Sequence, residues 1–227
     1  MLDDKIFYKC IGFQSNKKFN KPIFFFHTPK CAGTTFVVLL SHLFKTTHRL
    51  WGPLFKNNDK GGITGYNNYL KNKILINSSN LQFLYGHVPF EIFNELKKNY
   101  LFITIIRDPI QRCISHYRWG INRGYFSIND SIENLFTQNK LPKNVISNQF
   151  SGIGLTNPDS EESIKLSFYN LKNNIDLLFD VEDTFKLLNH IISLYELPNL
   201  FFQNHQVNYN KITITKKNIN IITKHNE

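Results

Sequence analysis

The sequence predicts an α/β fold: one domain with a mainly parallel central sheet flanked by helices, and a phosphate-binding loop of the P-loop-like kind at its start. Three observations carry this. Short apolar runs alternate with helical periodicity, which is the pattern of strand–helix units. The strand-like runs are apolar throughout rather than every second residue, as buried parallel strands are. The chain has 227 residues, 41% hydrophobic and 15% aromatic with Phe leading, which suits one domain with a sizeable core. No internal repeat or linker interrupts it, so residues 1–227 read as a single domain with an N-terminal arm at 1–21.

Taken in order, Ile23-Phe-Phe-Phe is the first strand, and Thr34 to Phe44 is a helix with Phe36, Val37, Leu39, Leu40, Leu43 and Phe44 on its apolar face. Residues 45–80 are rich in Asn, Lys and Gly, and Gly61, Gly62 and Gly65 break any regular element. Trp51, Tyr66 and Tyr69 within it are expected to pack over a site, since long connections are often functional. Leu81 to Tyr85 is a short buried strand ended by Gly86-His87-Val88-Pro89, and a helix follows from Phe90 to about Lys98. Leu101 to Ile106 is the clearest strand. Asp108 is placed to cap the next helix and Pro109 suits its first turn; that helix runs to about Asn122, with Ile110, Ile114 and Tyr117 on one face. Short helices are expected at 131–136 and 145–151, then a longer amphipathic one at 160–173. A strand at 175–179, a helix at 184–195 with Phe185, Leu188, Ile191 and Ile192 inward, a β-like piece at 211–215 and a last helix complete the chain.

The segment His27-Thr-Pro-Lys30-Cys31-Ala32-Gly33-Thr34-Thr35-Phe36 joins the first strand to the first helix. Backbone N–H groups at a helix start are unpaired and the helix dipole favours negative charge there. Gly33 permits close approach of an anion, Thr34 and Thr35 offer hydroxyls, and Lys30 adds a mobile charge. A Walker A loop places Gly-Lys-Ser/Thr at its end. Here the Lys comes three residues before the Gly, so an ordinary ATP or GTP site fits poorly. Ligands of such sheets bind at the carboxyl ends of the strands, which puts Lys30, His87 and Arg107 along one rim. A solvated turn lysine is the plain alternative for Lys30.

The formal net charge of +10 favours anionic partners, although a general Lys/Asn/Ile/Phe bias explains the charge as well. Cys10, Cys31 and Cys113 are far apart and show no metal-binding spacing, so neither a zinc site nor a disulfide framework is expected. The first residues carry no apolar signal core, and no run approaches the about 20 residues of a membrane span. A soluble, cytoplasmic protein is expected. Lys and Arg are dispersed without a recognition-helix or zinc-finger pattern, which argues against specific nucleic-acid binding.

Arg107-Asp-Pro-x-x-Arg112-x-x-Ser115-x-Tyr117 follows a second buried strand. Arg107 offers a planar fork to phosphate oxygens, and Ser115 lies about two helical turns on, able to donate from the same side. A local Arg107–Asp108 ion pair and a small packing serine are the structural alternative, and Arg112 is a further candidate partner for Asp108. Together, Pro29-Lys30-x-x-Gly33-Thr34-Thr35 and the Arg107–Ser115 segment resemble the 5′-phosphosulfate and 3′-phosphate motifs of sulfotransferases. These enzymes use 3′-phosphoadenosine 5′-phosphosulfate (PAPS). The resemblance is closest to the carbohydrate enzymes of the heparan sulfate and uronyl 2-O type and their bacterial relatives, and covers most of the chain from Ile23 onward.

The resemblance implies PAPS as co-substrate, with Lys30, Cys31, Ala32, Gly33, Thr34, Thr35 and Phe36 around its 5′ end and Arg107 and Ser115 on its 3′-phosphate. No metal is expected. It implies a carbohydrate or other hydroxyl-bearing acceptor, anionic ones included, with His87 as the base and Lys30 neutralising the leaving oxygen. Tyr85-Gly86-His87-Val88-Pro89 is similar to the family's Gly-His segment, and Asn148–Gly152 to a further one near the nucleotide. Two departures stand out: the 2-O enzymes carry another His where this chain has Tyr85, and the C-terminal covering region is shortened to about Asn204–Thr215. His27 is a rival base, or else orders the loop; His116 is expected at the surface or behind the site. An atypical nucleotide kinase and a non-catalytic polyanion binder are the competing functions.

Overall fold

The computed structural model describes residues 21–50, 81–152, 160–197 and 212–226. The expected arm, apart from Lys21, and the aromatics Trp51, Tyr66 and Tyr69 lie outside them.

Five strands form one parallel sheet: β1 (Ile23–Phe26), β2 (Thr47–Leu50), β3 (Phe83–Gly86), β4 (Leu101–Ile106) and β5 (Leu177–Asp180), in the order β2-β3-β1-β4-β5. Every residue of β1 is buried, because β1 is hydrogen-bonded on both edges and covered on both faces. Its four residues alternate between two cores. Ile23 and Phe25 face α1 (Gly33–Leu43), with Phe25 and Phe36 rings 4.8 Å apart; Phe24 and Phe26 face the opposite layer. That second layer contains a 3₁₀ turn (Phe90–Ile92), α2 (Phe93–Leu96) and residues from the later helices.

After β4 the chain enters α3 (Pro109–Asn122), which Asp108 caps by accepting from the Gln111 amide at 2.8 Å. The short helices α4 (Ile132–Thr137) and α5 (Val145–Phe150) follow, and then α6 (Glu161–Asn174), capped by Ser160. A 3₁₀ turn (Val181–Asp183) leads from β5 to α7 (Thr184–Leu194), which packs on the α1 face, and α8 (Lys216–Lys224) ends the described chain. Residues of α3, α4 and α8 make a third core around Cys113, Tyr117, Phe136 and Ile222.

Four expectations are corrected. The strand β2 lies in the stretch read as irregular; its Thr-His-Arg-Leu sequence is polar because it is a sheet edge with Thr47 and Arg49 exposed. Residues 212–215 form no strand: Ile212 and Ile214 pack into the third core, which explains their alternation without a ladder. The helix expected from Phe90 starts as a 3₁₀ turn and ends at Leu96. Phe185 is 40% exposed and Leu187 occupies the inward position of α7 instead.

Gly86 closes β3 opposite Leu50, and a Cβ there would sit 2.2 Å from the Leu50 carbonyl oxygen. The contact is with backbone, so the edge strand itself would have to move. Gly86→Ala should destabilise the protein by about 1–3 kcal/mol in urea unfolding; an unchanged midpoint would contradict this packing.

Candidate functional site

The sheet register builds the rim. Phe26 pairs with both Gly86 and Thr104, so β1 and β3 end at the same level while β4 continues for two residues. His27 and His87 therefore emerge side by side, and Arg107 emerges farther along the neighbouring strand. The side chain of Thr104, fully buried, donates to the Phe26 carbonyl at 2.8 Å and lies 3.4 Å from the Thr28 hydroxyl. This pins the first residues of the loop to β4.

The loop itself bends through two left-handed residues, Lys30 (φ 68°) and Ala32 (φ 55°). Non-glycine residues reach this region at some cost, and such positions concentrate at functional sites. Cys31 between them is buried, its amide donating to Thr28 O at 3.3 Å and its sulfur facing Pro29 O at 3.8 Å. Burial pushes its thiol up to about 12, so it stays protonated. Phe36 is likewise turned into the core, and its amide is 3.4 Å from Ala32 O. Among the described residues, the amides of Ala32, Gly33, Thr34 and Thr35 are left without a protein partner at the start of α1. Thr34 is exposed and Thr35 half-buried.

Lys30, Arg107 and Ser115 come together around an open cavity of about 480 Å³. Gln111, Ile114, Arg118 and Trp119 complete the α3 wall, and Ile212 to Ile214 form the opposite side. Gln111, Ser115 and Trp119 recur at four-residue spacing on one helix face, so this wall follows from helical periodicity once Ser115 is chosen. Gln111 and Trp119 are functional-site residues that the Arg107–Ser115 motif alone does not single out. Arg118 donates from Nε to Ile212 O at 3.2 Å and holds the C-terminal segment against α3. Of the expected covering remnant, only Ile212 to Thr215 lies within the described residues.

The charge balance of this cavity is lopsided. Lys30 stands with Nζ 5.1 Å from the centroid of the Trp119 ring. Burial, then the neighbouring Arg107, Arg112 and Arg123, lower its pKa to about 8. Arg112 does not pair with Asp108. Its guanidinium is 1% exposed and donates to Pro142 O at 3.0 Å, while Nη1 is buried without a partner. His116 is also no surface residue: its ring packs against Trp119 and Phe126, and burial holds it down to about 3. An anion entering here meets cations that, among the described residues, no carboxylate at the cavity wall neutralises.

His87 lies beside this cavity rather than in its wall. Its Nδ1 is 2.6 Å from the His27 carbonyl oxygen. A carbonyl only accepts, so Nδ1 carries the proton and Nε2 the lone pair. Burial lowers the His87 pKa, against the opposing effect of that hydrogen bond, and Arg49 lowers it further. His27 is the weaker base: burial first, then the charges of His87, Arg49 and Lys30, bring it down to about 3. Asn148 and Gln149 are buried on α5, where Gln149 Nε2 donates to Val88 O at 3.2 Å and ties that helix to the segment after His87.

A sequence profile described as the Sulfotransferase family matches residues 17–220. No curated protein matches the chain significantly. Among solved structures, the mouse sulfotransferase SULT7A1 complexed with PAP is similar, at 13% identity and a TM-score of 0.44; the alignment covers 93% of this chain and 66% of that one. The chain thus spans a little under two thirds of that protein. No helix among the described residues is long and apolar enough to cross a membrane.

The lowered pKa of Lys30 has a direct consequence for its chemistry. A pulse of acetic anhydride over a pH series should show Lys30 reacting with a midpoint near 8, well ahead of the exposed lysines. A midpoint above about 10, the ordinary lysine range, would contradict the site electrostatics.

Proposed function

The chain belongs to the sulfotransferase family, and on that ground we propose that it transfers a sulfuryl group from PAPS to a hydroxyl of a carbohydrate acceptor. The observation that carries the proposal is the meeting of Lys30, Arg107 and Ser115 at one cavity beside the N-terminus of α1. Two anion-binding features at separate points suit a nucleotide with phosphate at both ends of its ribose. They suit a triphosphate chain poorly.

The fit can be judged from the residues. The free amides at Ala32 to Thr35 suit the 5′-phosphate, with the Thr34 and Thr35 hydroxyls as further donors. Arg107 and Ser115 suit the 3′-phosphate, Arg107 by its paired N–H groups and Ser115 by its hydroxyl. Cys31 and Phe36 contribute by shaping the loop, since their side chains are buried. Ile114, Trp119 and the Ile212–Ile214 segment offer the apolar surface against which a nucleoside packs.

When bound, PAPS supplies the sulfuryl group: the acceptor oxygen bonds to sulfur, the bond from sulfur to the 5′-phosphate oxygen breaks, and 3′-phosphoadenosine 5′-phosphate (PAP) leaves. His87 Nε2 takes the proton of the acceptor hydroxyl, and its depressed pKa keeps the imidazole neutral and ready at pH 7. Lys30, protonated below about pH 8, neutralises charge on the departing phosphate oxygen. The proposed transfer balances without a metal. Arg49, exposed and close enough to lower both histidine pKa values, favours an anionic acceptor at the base.

Calorimetry tests this reading. PAP should bind more tightly than ATP, with Lys30→Ala and Arg107→Ala each weakening it by about 10-fold or more, the scale of one charge-assisted contact. His87→Ala should leave PAP binding within about 3-fold and reduce sulfate transfer by 10²–10⁴, roughly the scale of one general base. Binding of magnesium-ATP in preference to PAP would support a kinase, and binding of heparin alone a polyanion binder.

A further inference from the structure

We propose that His27 is a positioning residue that ties the phosphate loop to the base, its main-chain carbonyl fixing the His87 ring and its own ring filling the space between His87 and Gly33. The role of His87 as base rests on the sulfotransferase reading; the contacts around His27 do not.

The His27 amide donates to Gly86 O at 2.9 Å, which carries the β1–β3 ladder one residue past both strands. His27 and His87 thereby become lateral neighbours on the face already occupied by Phe25 and Tyr85. Their ring centroids are 4.3 Å apart, and the His27 ring also stacks on Phe25, 5.5 Å away. The 2.6 Å contact of His87 Nδ1 with His27 O then sets the His87 tautomer from the backbone.

The second link runs to the loop. A Cβ on Gly33 would sit 2.2 Å from His27 Cδ2 and 2.4 Å from Nε2. The His27 ring thus lies directly on the first residue of α1, and only glycine leaves it room. Packed between Phe25, His87 and Gly33, the ring has little freedom to yield, because dense interiors transmit displacement rather than absorb it. The helix start that would hold a 5′-phosphate and the nitrogen that would accept a proton are then spaced by one rigid side chain. Such spacing matters, since misplacement by about 1 Å can cost roughly 10²-fold in rate.

Among the described residues, few charged and titratable groups surround the pair. His87 faces His27 from the end of β1 and Arg49 from β2; His27 faces these same groups and Lys30 from the loop. The neighbouring cations and burial act in one direction, keeping both rings neutral. A histidine that only stabilised the fold could be lost without moving the titration of its neighbour.

NMR titration of the imidazole signals separates the two roles, read in wild type, His27→Phe, His27→Ala and Gly33→Ala. His27→Phe keeps the ring volume and the carbonyl, so His87 should titrate as in wild type, below 6.5. His27→Ala opens the space to water and should move the His87 titration up toward 6.5. It should also lower kcat by about 10–100-fold while KM for PAPS changes less than about 3-fold. Gly33→Ala pushes on the His27 ring from the loop side and should shift the His87 titration too, which keeps the test open if His27→Ala fails to fold. A His87 titration and kcat unchanged in His27→Ala, or a titration unchanged in Gly33→Ala, would overturn the proposal. A wild type that binds no PAP defeats the sulfotransferase reading instead, and the titrations still decide whether His27 sets His87.

Discussion

The position of β1 in the middle of the sheet is the constraint from which the site follows. Hydrogen-bonded to β3 on one edge and β4 on the other, β1 has no freedom of register. Its four residues send two side chains into each core, so slippage by one residue would exchange the faces of an entire buried aromatic set. The pairing of Phe26 with Gly86 and Thr104 then fixes where the three strands β1, β3 and β4 leave the sheet. His27 must stand beside His87, and the phosphate loop must begin where Thr104 reaches across to Phe26 O. Backbone pairing thus decides which side chains meet, and chemistry is assigned to those that do.

A second consequence is electrostatic. Burial, then the nearby Arg107, Arg112 and Arg123, depress the pKa of Lys30, and Arg112 is buried with a carbonyl rather than a carboxylate as partner. Desolvated cations without counter-charges cost folding free energy. Such an arrangement makes physical sense where an anion arrives from solution and offsets that cost on binding. The two left-handed residues of the loop, Lys30 and Ala32, carry backbone strain at the same place.

Much of this was legible in the residues, and the parts that were not share a cause. Apolar runs such as Ile23–Phe26 and Leu101–Ile106 declare themselves because both faces are buried, and Asp108 and Ser160 cap helices as their chemistry requires. The loop and Arg107–Ser115 were visible as strand-to-helix turns with suitable donors, and their meeting at one cavity follows from the parallel sheet. The edge strand β2 was hidden because an edge has only one ladder and can be polar. Arg112 was matched to Asp108 by its nearness in sequence, whereas helix phase turns its guanidinium inward to Pro142 O. Of the two places expected for His116, the surface and behind the site, its ring takes the inward one, against Trp119 and Phe126. The His27–His87 contact depends on register between strands more than fifty residues apart in sequence, which no local pattern contains.

A crystal structure of the protein with PAP tests the central claim most directly. The expected result is a 5′-phosphate at the amides of Ala32 to Thr35 within reach of Lys30, and a 3′-phosphate between Arg107 and Ser115. Density for the nucleotide elsewhere, or a 3′-phosphate that touches neither Arg107 nor Ser115, would contradict it.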